Sequence, residues 1–166
     1  LNGAPMDKDL TQTAATPEPH RAPDQPLAPD SSAFLRLIGA AQIPAPSGKV
    51  RVRLPHLKPD LLNQLPAAHG GVLMTLLDSV MSRAASERPE APSSTAITVE
   101  MSTRFHHPAQ RPLLAEGWVI RGGRSLCSCA AQLLDDEGNL VATAQGTFKY
   151  WLKPTQKGSR QTAGAD

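Results

Sequence analysis

One stretch constrains this chain more than any other: Ala67-Ala68-His69-Gly70-Gly71-Val72-Leu73-Met74-Thr75-Leu76-Leu77-Asp78-Ser79-Val80-Met81-Ser82-Arg83-Ala84-Ala85. Val72, Leu73, Leu76, Leu77, Val80 and Ala84 recur at helical spacing and predict one apolar face. Arg83, Glu87 and Arg88 suit an exposed last turn, and Pro89 supplies the stop. Two features are foreign to an ordinary core helix. Gly70 and Gly71 open it, where helix propensity disfavours glycine, and Asp78 lies in its middle among apolar residues. Glycines at a helix start leave N–H groups open to a ligand at the positive end of the dipole. A carboxylate among apolar neighbours is a candidate acid, base or nucleophile. Each feature also has a plainer reading, a loop-to-helix joint and a solvated side chain.

Elsewhere the patterning is mixed. Residues 1–30 are rich in Pro, Ala, Thr and Asp without apolar periodicity and read as a disordered or loosely attached tail. Ser31 to Gly39 is a short amphipathic helix with a serine cap and a glycine stop. Lys49 to Leu54 alternates Val50, Val52 and Leu54 with Lys49, Arg51 and Arg53, the pattern of a half-exposed strand whose basic residues form a solvated face. After Pro92 the chain turns to strands. Thr95 to Phe105 alternates, placing Ile97, Val99 and Met101 on one face and Thr98 and Glu100 on the other. Leu113 to Ile120, Ser125 to Leu134 and Leu140 to Leu152 follow, separated by a Gly122-Gly123 turn and an Asp136-Glu137-Gly138-Asn139 turn. Residues 155–166 form a polar tail. Residues 31–154 therefore read as one α+β domain, a long helix against a long antiparallel meander.

The 166 residues are enough for one real core. A net charge of +2 points away from a nucleic-acid surface. No apolar run is long enough for a membrane helix, and the N-terminal residues lack a signal-peptide pattern, so a cytoplasmic protein is expected. Cys127 and Cys129 would share one strand face, as small buried thiols of a reducing compartment rather than a metal or redox pair. His106 and His107 are adjacent and would face opposite ways on a strand, so no metal is expected there.

The spacing Asn63-x5-His69-Gly70-Gly71, with Asp78 nine residues after the histidine, resembles the phenylacetate-degradation (PaaI-type) acyl-CoA thioesterases of the hotdog fold. In that fold a curved antiparallel sheet wraps one central helix. The resemblance covers roughly residues 31 to 152. The segment Ala96 to Met101 takes the place of a strand that carries a Ser or Thr in the site, and Gly123-Arg124-Ser125 and Asp136 to Ala142 resemble the family's strand junctions. Pro66 departs from the pattern, which usually has glycine three residues after the Asn. The resemblance implies an acyl-CoA substrate, no further cofactor, and a homodimer that pairs into a dimer of dimers.

Thioester hydrolysis needs a polarised carbonyl, an activated water or nucleophile, and a place for the leaving thiolate. The Gly70 N–H, alone or with that of Gly71, can donate to the developing oxyanion. Asp78 would activate water or attack as a nucleophile, and Thr98 would hold the carboxylate or the water. Asn63 and His69 would orient the thioester and the loop. Gly123, Arg124 and Ser125 at the hairpin could meet the phosphates of coenzyme A. The serine-hydrolase GxSxG pattern is absent. Two other readings compete: an acyl-CoA-binding hotdog module without activity, and an enoyl-thioester hydratase, whose differently spaced His and acid pair is not found. Gly70 and Asp78 lie eight residues apart, about 12 Å along a helix axis, too far to act on one carbon from one chain. A two-fold axis between antiparallel helices would bring Gly70 of one chain beside Asp78 of the other, so each site would be shared.

Overall fold

The computed structural model describes residues 32–88 and 95–151. The expected tails at 1–30 and 155–166, and the expected strand end at Leu152, lie outside them. Helix α1 (Ala33–Ile38) carries the expected caps: Ser32 Oγ accepts from the Leu35 N–H at 3.2 Å, and Gly39 closes the helix at φ 83°. Strand β1 (Ala41–Ile43) has only three residues, too few for alternation to reveal it. Strand β2 (Lys49–Leu54) matches its expected span. Helix α2 (Gly70–Ser86) is followed by β3 (Thr95–Phe105), β4 (Leu113–Gly122), β5 (Leu126–Asp135) and β6 (Leu140–Trp151). Among the described residues no helix is long and apolar enough to cross a membrane.

The six strands form one antiparallel sheet in the order β1-β2-β4-β5-β6-β3, with α2 laid on one face, the hotdog arrangement. The meander holds for β4, β5 and β6. Strand β3 departs from it, crossing to the far edge to pair with β6 instead of β4. Leu73, Leu76, Leu77, Val80, Met81, Ala84 and Ala85 of α2 are buried against Val50, Val52, Leu54, Ala115, Cys127, Cys129, Leu133 and Phe148. The helix approaches closely because Gly117 has no side chain. A Cβ there would lie 2.7 Å from the Val80 carbonyl carbon.

Two sequence expectations need correction. Ile97 and Val99 do not face the core with Met101. A bulge between Thr98 and Glu100 inserts one residue, so Thr98 and Met101 both turn towards α2, while Ile97 and Val99 are 47% and 58% exposed. The basic residues of β2 are not merely solvated. Lys49 and Arg51 hold the buried Glu116 at 2.6 and 2.7 Å on the sheet face away from α2. Burial works to raise the Glu116 pKa, but the hydrogen bonds and charges of Lys49 and Arg51 outweigh it and keep the carboxyl below its ordinary value.

The Val80–Gly117 contact gives a direct stability test. Gly117→Ala should destabilise the fold by about 1–3 kcal/mol, since the added methyl meets backbone that cannot swing aside. Chemical denaturation should show a lower midpoint with an unchanged slope. An unchanged midpoint would mean that helix and sheet can separate at little cost.

Candidate active site

Asp78 lies on the flank of α2, not among its apolar neighbours in sequence. Leu76, Leu77, Val80 and Met81 turn into the core, whereas Asp78 is half-buried and faces the edge strand β3. There Thr98 Oγ1 donates to Asp78 Oδ1 at 2.6 Å. That length is typical of a hydroxyl bound to a carboxylate. The bond fixes one carboxylate oxygen and leaves Oδ2 without a partner among the described residues. Thr98 is exposed in the single chain, so one side of this pair is open.

The helix start separates two N–H groups that the sequence treats together. His69 is the N-cap, and its Nδ1 accepts from the Gly71 N–H at 3.0 Å. The Gly71 donor is therefore taken, and the ring proton of a neutral His69 sits on Nε2. The Gly70 N–H has no acceptor among the described residues. It is the free donor at the positive end of a 17-residue helix. Of the two N–H groups expected to serve an oxyanion, only that of Gly70 is therefore open among the described residues, and His69 caps the helix.

The loop ahead of the helix is held by backbone pairing. His69 N donates to Leu61 O and Ala68 N to Ala109 O, both at 2.7 Å. Asn63 closes the turn that contains Pro66. Its Oδ1 accepts from Leu65 N at 2.7 Å, while its N–H donates to Ala67 O at 2.9 Å. With Oδ1 committed, the Nδ2 amide is the end of Asn63 left to donate to a ligand.

The hairpin residues lie elsewhere. Arg88, ten residues past Asp78 and so roughly 15 Å further along the helix direction, reaches the Gly123 carbonyl and the Tyr150 hydroxyl. Gly122 leaves room for this arginine: a Cβ there would overlap its guanidinium. The Gly123 N–H is committed to Leu126 O at 2.8 Å, so it is not open to phosphate. Arg124 and Ser125 are exposed. Burial raises the Tyr150 hydroxyl pKa.

Cys127 and Cys129 are buried and free, their sulfurs 3.7 Å apart on the core side of β5. Burial and the neighbouring thiol push the Cys129 pKa up to about 12, which suits packing and not nucleophilic attack. His106 lies beyond the end of β3 and pairs with Thr143 Oγ1 at 3.0 Å.

Sequence reasoning overlooked Phe105. The ring of this last β3 residue would stand 3.5 Å from a Cβ on Gly70, so it lies against the helix start. The bulge put it there, and a simple alternation pattern does not reveal a bulge.

Comparison with known proteins places this site in context. Residues 65–142 match the model of the thioesterase superfamily. A Halobacterium salinarum protein provisionally described as an esterase is 27% identical over 132 residues, 74% of this chain and 87% of that protein. A thioesterase family protein from Silicibacter pomeroyi is 25% identical, with a TM-score of 0.64 over 73% of this chain and 90% of its own. The E. coli PaaI protein of the phenylacetic acid degradation operon is 20% identical, with a TM-score of 0.64 over 72% and 84%, and shares the fold. Residues 65–142 thus carry the thioesterase-superfamily pattern on a hotdog fold, and they include the helix start and Asp78.

The Thr98–Asp78 bond predicts how two substitutions divide. Thr98→Ala should lower turnover at least tenfold, while Thr98→Ser, which keeps the hydroxyl, should stay within about threefold of wild type, given a charge-assisted bond worth roughly 1.5–3 kcal/mol. Equal rates for the two variants would reduce Thr98 to an ordinary strand residue.

Proposed function

We propose that the protein hydrolyses acyl-CoA thioesters to a carboxylic acid and free coenzyme A, as an enzyme of the PaaI type. The observation that carries this reading is a pair of groups suited to one reaction. A hydroxyl-anchored carboxylate lies on one flank of α2, and an unused N–H stands at its start. The thioester oxygen accepts from the Gly70 N–H, which stabilises charge as it develops on that oxygen. Asp78 Oδ2 takes a proton from water, and the hydroxide attacks the carbonyl carbon. Collapse of the tetrahedral intermediate breaks the C–S bond, and the proton on Asp78 passes to the departing thiolate. Direct attack by the Asp78 carboxylate, giving a mixed anhydride that water then opens, uses the same atoms. The Asn63 amide orients the thioester. Coenzyme A is part of the substrate, and these steps call on no other cofactor.

The site is shared between two chains. Gly70 and Asp78 stand about 12 Å apart along α2, so one chain cannot bring both to one carbon. The unpaired edge of β3 is eleven residues long and exposes Ile97, Val99 and Phe105, 47%, 58% and 52% accessible. Such an edge invites pairing with a second copy. Two β3 edges joined antiparallel about a two-fold axis turn their α2 helices antiparallel as well. Gly70, His69 and Asn63 of one protomer then face Asp78 and Thr98 of its partner. A homodimer, paired further into a dimer of dimers, completes the assembly. Arg124 and Ser125, exposed at the far hairpin, are the residues there left to meet the coenzyme A phosphates. Gly123 contributes only by shaping the turn. The free thiols suit a cytoplasmic location. A binding module without activity has less support, since a carboxylate anchored beside a thioester contributes little to binding alone.

The test is release of free thiol from a panel of aromatic and straight-chain acyl-CoAs. Asp78→Asn should cut turnover by about 10²-fold or more while coenzyme A binding and folding survive. Turnover above about a tenth of wild type would reject the role of Asp78. Tight binding of every acyl-CoA with no thiol released would establish the module instead.

A further inference from the structure

The open edge of β3 carries two charges that its own chain does not pair with each other. Beyond the bulge, Glu100, Ser102 and Arg104 point to the sheet face away from α2, opposite Thr147, Gln145 and Thr143 of β6. Arg104 is exposed and has no partner among the described residues. Glu100 is exposed as well. Its Oε1 accepts from Thr147 Oγ1 at 2.8 Å, and its Oε2 has no partner among those residues. Four residues apart on one strand, the two stand about 13 Å from each other, too far to meet within the chain.

A second copy joined at this edge can bring them together. Residues directly opposite in an antiparallel pair point to the same face, so about a two-fold axis one β3 residue must lie opposite its own copy. The choice of that residue fixes every other pair. Met101 on the axis sets Glu100 against the partner's Ser102. Thr103 on the axis sets Ser102 against the partner's Arg104. Ser102 on the axis sets Glu100 against the partner's Arg104, and by symmetry Arg104 against the partner's Glu100. Val99, the residue inserted at the bulge, is then passed over, and Thr98 stands opposite the partner's Phe105. Phe105 lies against Gly70, and Thr98 holds Asp78. The register that pairs the charges therefore also draws Gly70 of one chain towards Asp78 of the other.

We propose that two protomers join their β3 edges with Ser102 on the two-fold axis, and that ion pairs between Glu100 of each chain and Arg104 of its partner set the register of the shared site. The inference rests on the shared-site reading above and adds to it which residues meet. Directly opposite side chains have Cβ atoms about 4.5–5.5 Å apart, within reach of a carboxylate and a guanidinium, and the axis makes the pair twice. A slip of one residue would turn each side chain to face the wrong side of the joined sheet. A slip of the axis to Met101 or Thr103 keeps the faces and breaks both ion pairs. Charge thus decides among the registers that the pleat allows.

The experiment reads the register independently of activity. Glu100→Arg and Arg104→Glu each set like charges opposite one another twice, and each should raise the dimer dissociation constant, measured by sedimentation, by about tenfold or more. The double variant Glu100→Arg/Arg104→Glu rebuilds two opposite-charge pairs and should return to within about threefold of wild type. Cysteines then locate the axis. Under diamide, Ser102→Cys should cross-link with its own copy. Glu100→Cys and Arg104→Cys should cross-link only when the two are mixed, since each lies about 13 Å from its own copy along the paired strands. The wild-type thiols are buried, and the wild-type chain is the control. Single reversals that leave the dissociation constant unchanged overturn the inference, as does a double variant that dissociates as readily as the singles. A dimer in which Ser102→Cys does not cross-link overturns it too. A wild-type chain that stays monomeric under assay conditions overturns it together with the shared site, even where thioesters are hydrolysed. Compensation and cross-links as expected, with no thioester hydrolysed, support the register and are the separate failure of the thioesterase reading.

Discussion

The bulge at Val99 decides what the edge of this sheet can do. Without the inserted residue, one face of β3 would carry Ile97, Val99 and Met101, and Thr98 would lie on the face opposite Met101. With it, Thr98 and Met101 share the face that meets α2, and the bond from Thr98 to Asp78 becomes possible. The same shift carries Thr103 and Phe105 to the α2 side and leaves Ile97 and Val99 on the open flank. One irregularity thus supplies the anchored carboxylate, the ring against the helix start and the apolar edge that a second copy can cover.

The second constraint is how closely the helix lies on the sheet. Gly117 admits the Val80 backbone, and the buried leucines of α2 fill the space on either side. A helix held this firmly makes a good mount for its two polar features. The N–H at its start is fixed in direction by the loop bonds of His69 and Ala68 and by the His69 cap. Its carboxylate is fixed by a strand. Both are set by the fold itself, the condition that the proposed electrostatic stabilisation of a transition state requires.

Much of this was legible from residues alone. The helix declared itself because seven of its side chains are buried at helical spacing, and the glycine pair and Asp78 broke that pattern at its start and on its flank. The caps of α1 and the span of β2 followed from local chemistry. What stayed hidden was long-range or irregular. Pairing of β3 with β6 across the sheet leaves no local signature. The bulge parted Ile97 and Val99 from Met101, with which alternation groups them. The split between the Gly70 and Gly71 donors depends on where the His69 ring points, which spacing does not encode. Arg88 reads as an exposed end-of-helix cation, yet it packs into the gap left by Gly122.

The central claim is that each site joins Gly70 of one chain to Asp78 of its partner, and complementation tests it most directly. Gly70→Pro removes the oxyanion N–H alone. Proline is tolerated at the first helical position, and His69 already has the extended φ of −61° and ψ of 140° that a following proline requires. This variant and Asp78→Ala, each inactive by itself, are unfolded together and refolded. About half of the dimers should be mixed under random two-fold pairing. Each mixed dimer holds one site with both lesions and one with none. Activity per chain should therefore return to about a quarter of wild type. No recovery, with mixed dimers confirmed by mass, would contradict the shared site and place both groups within one chain.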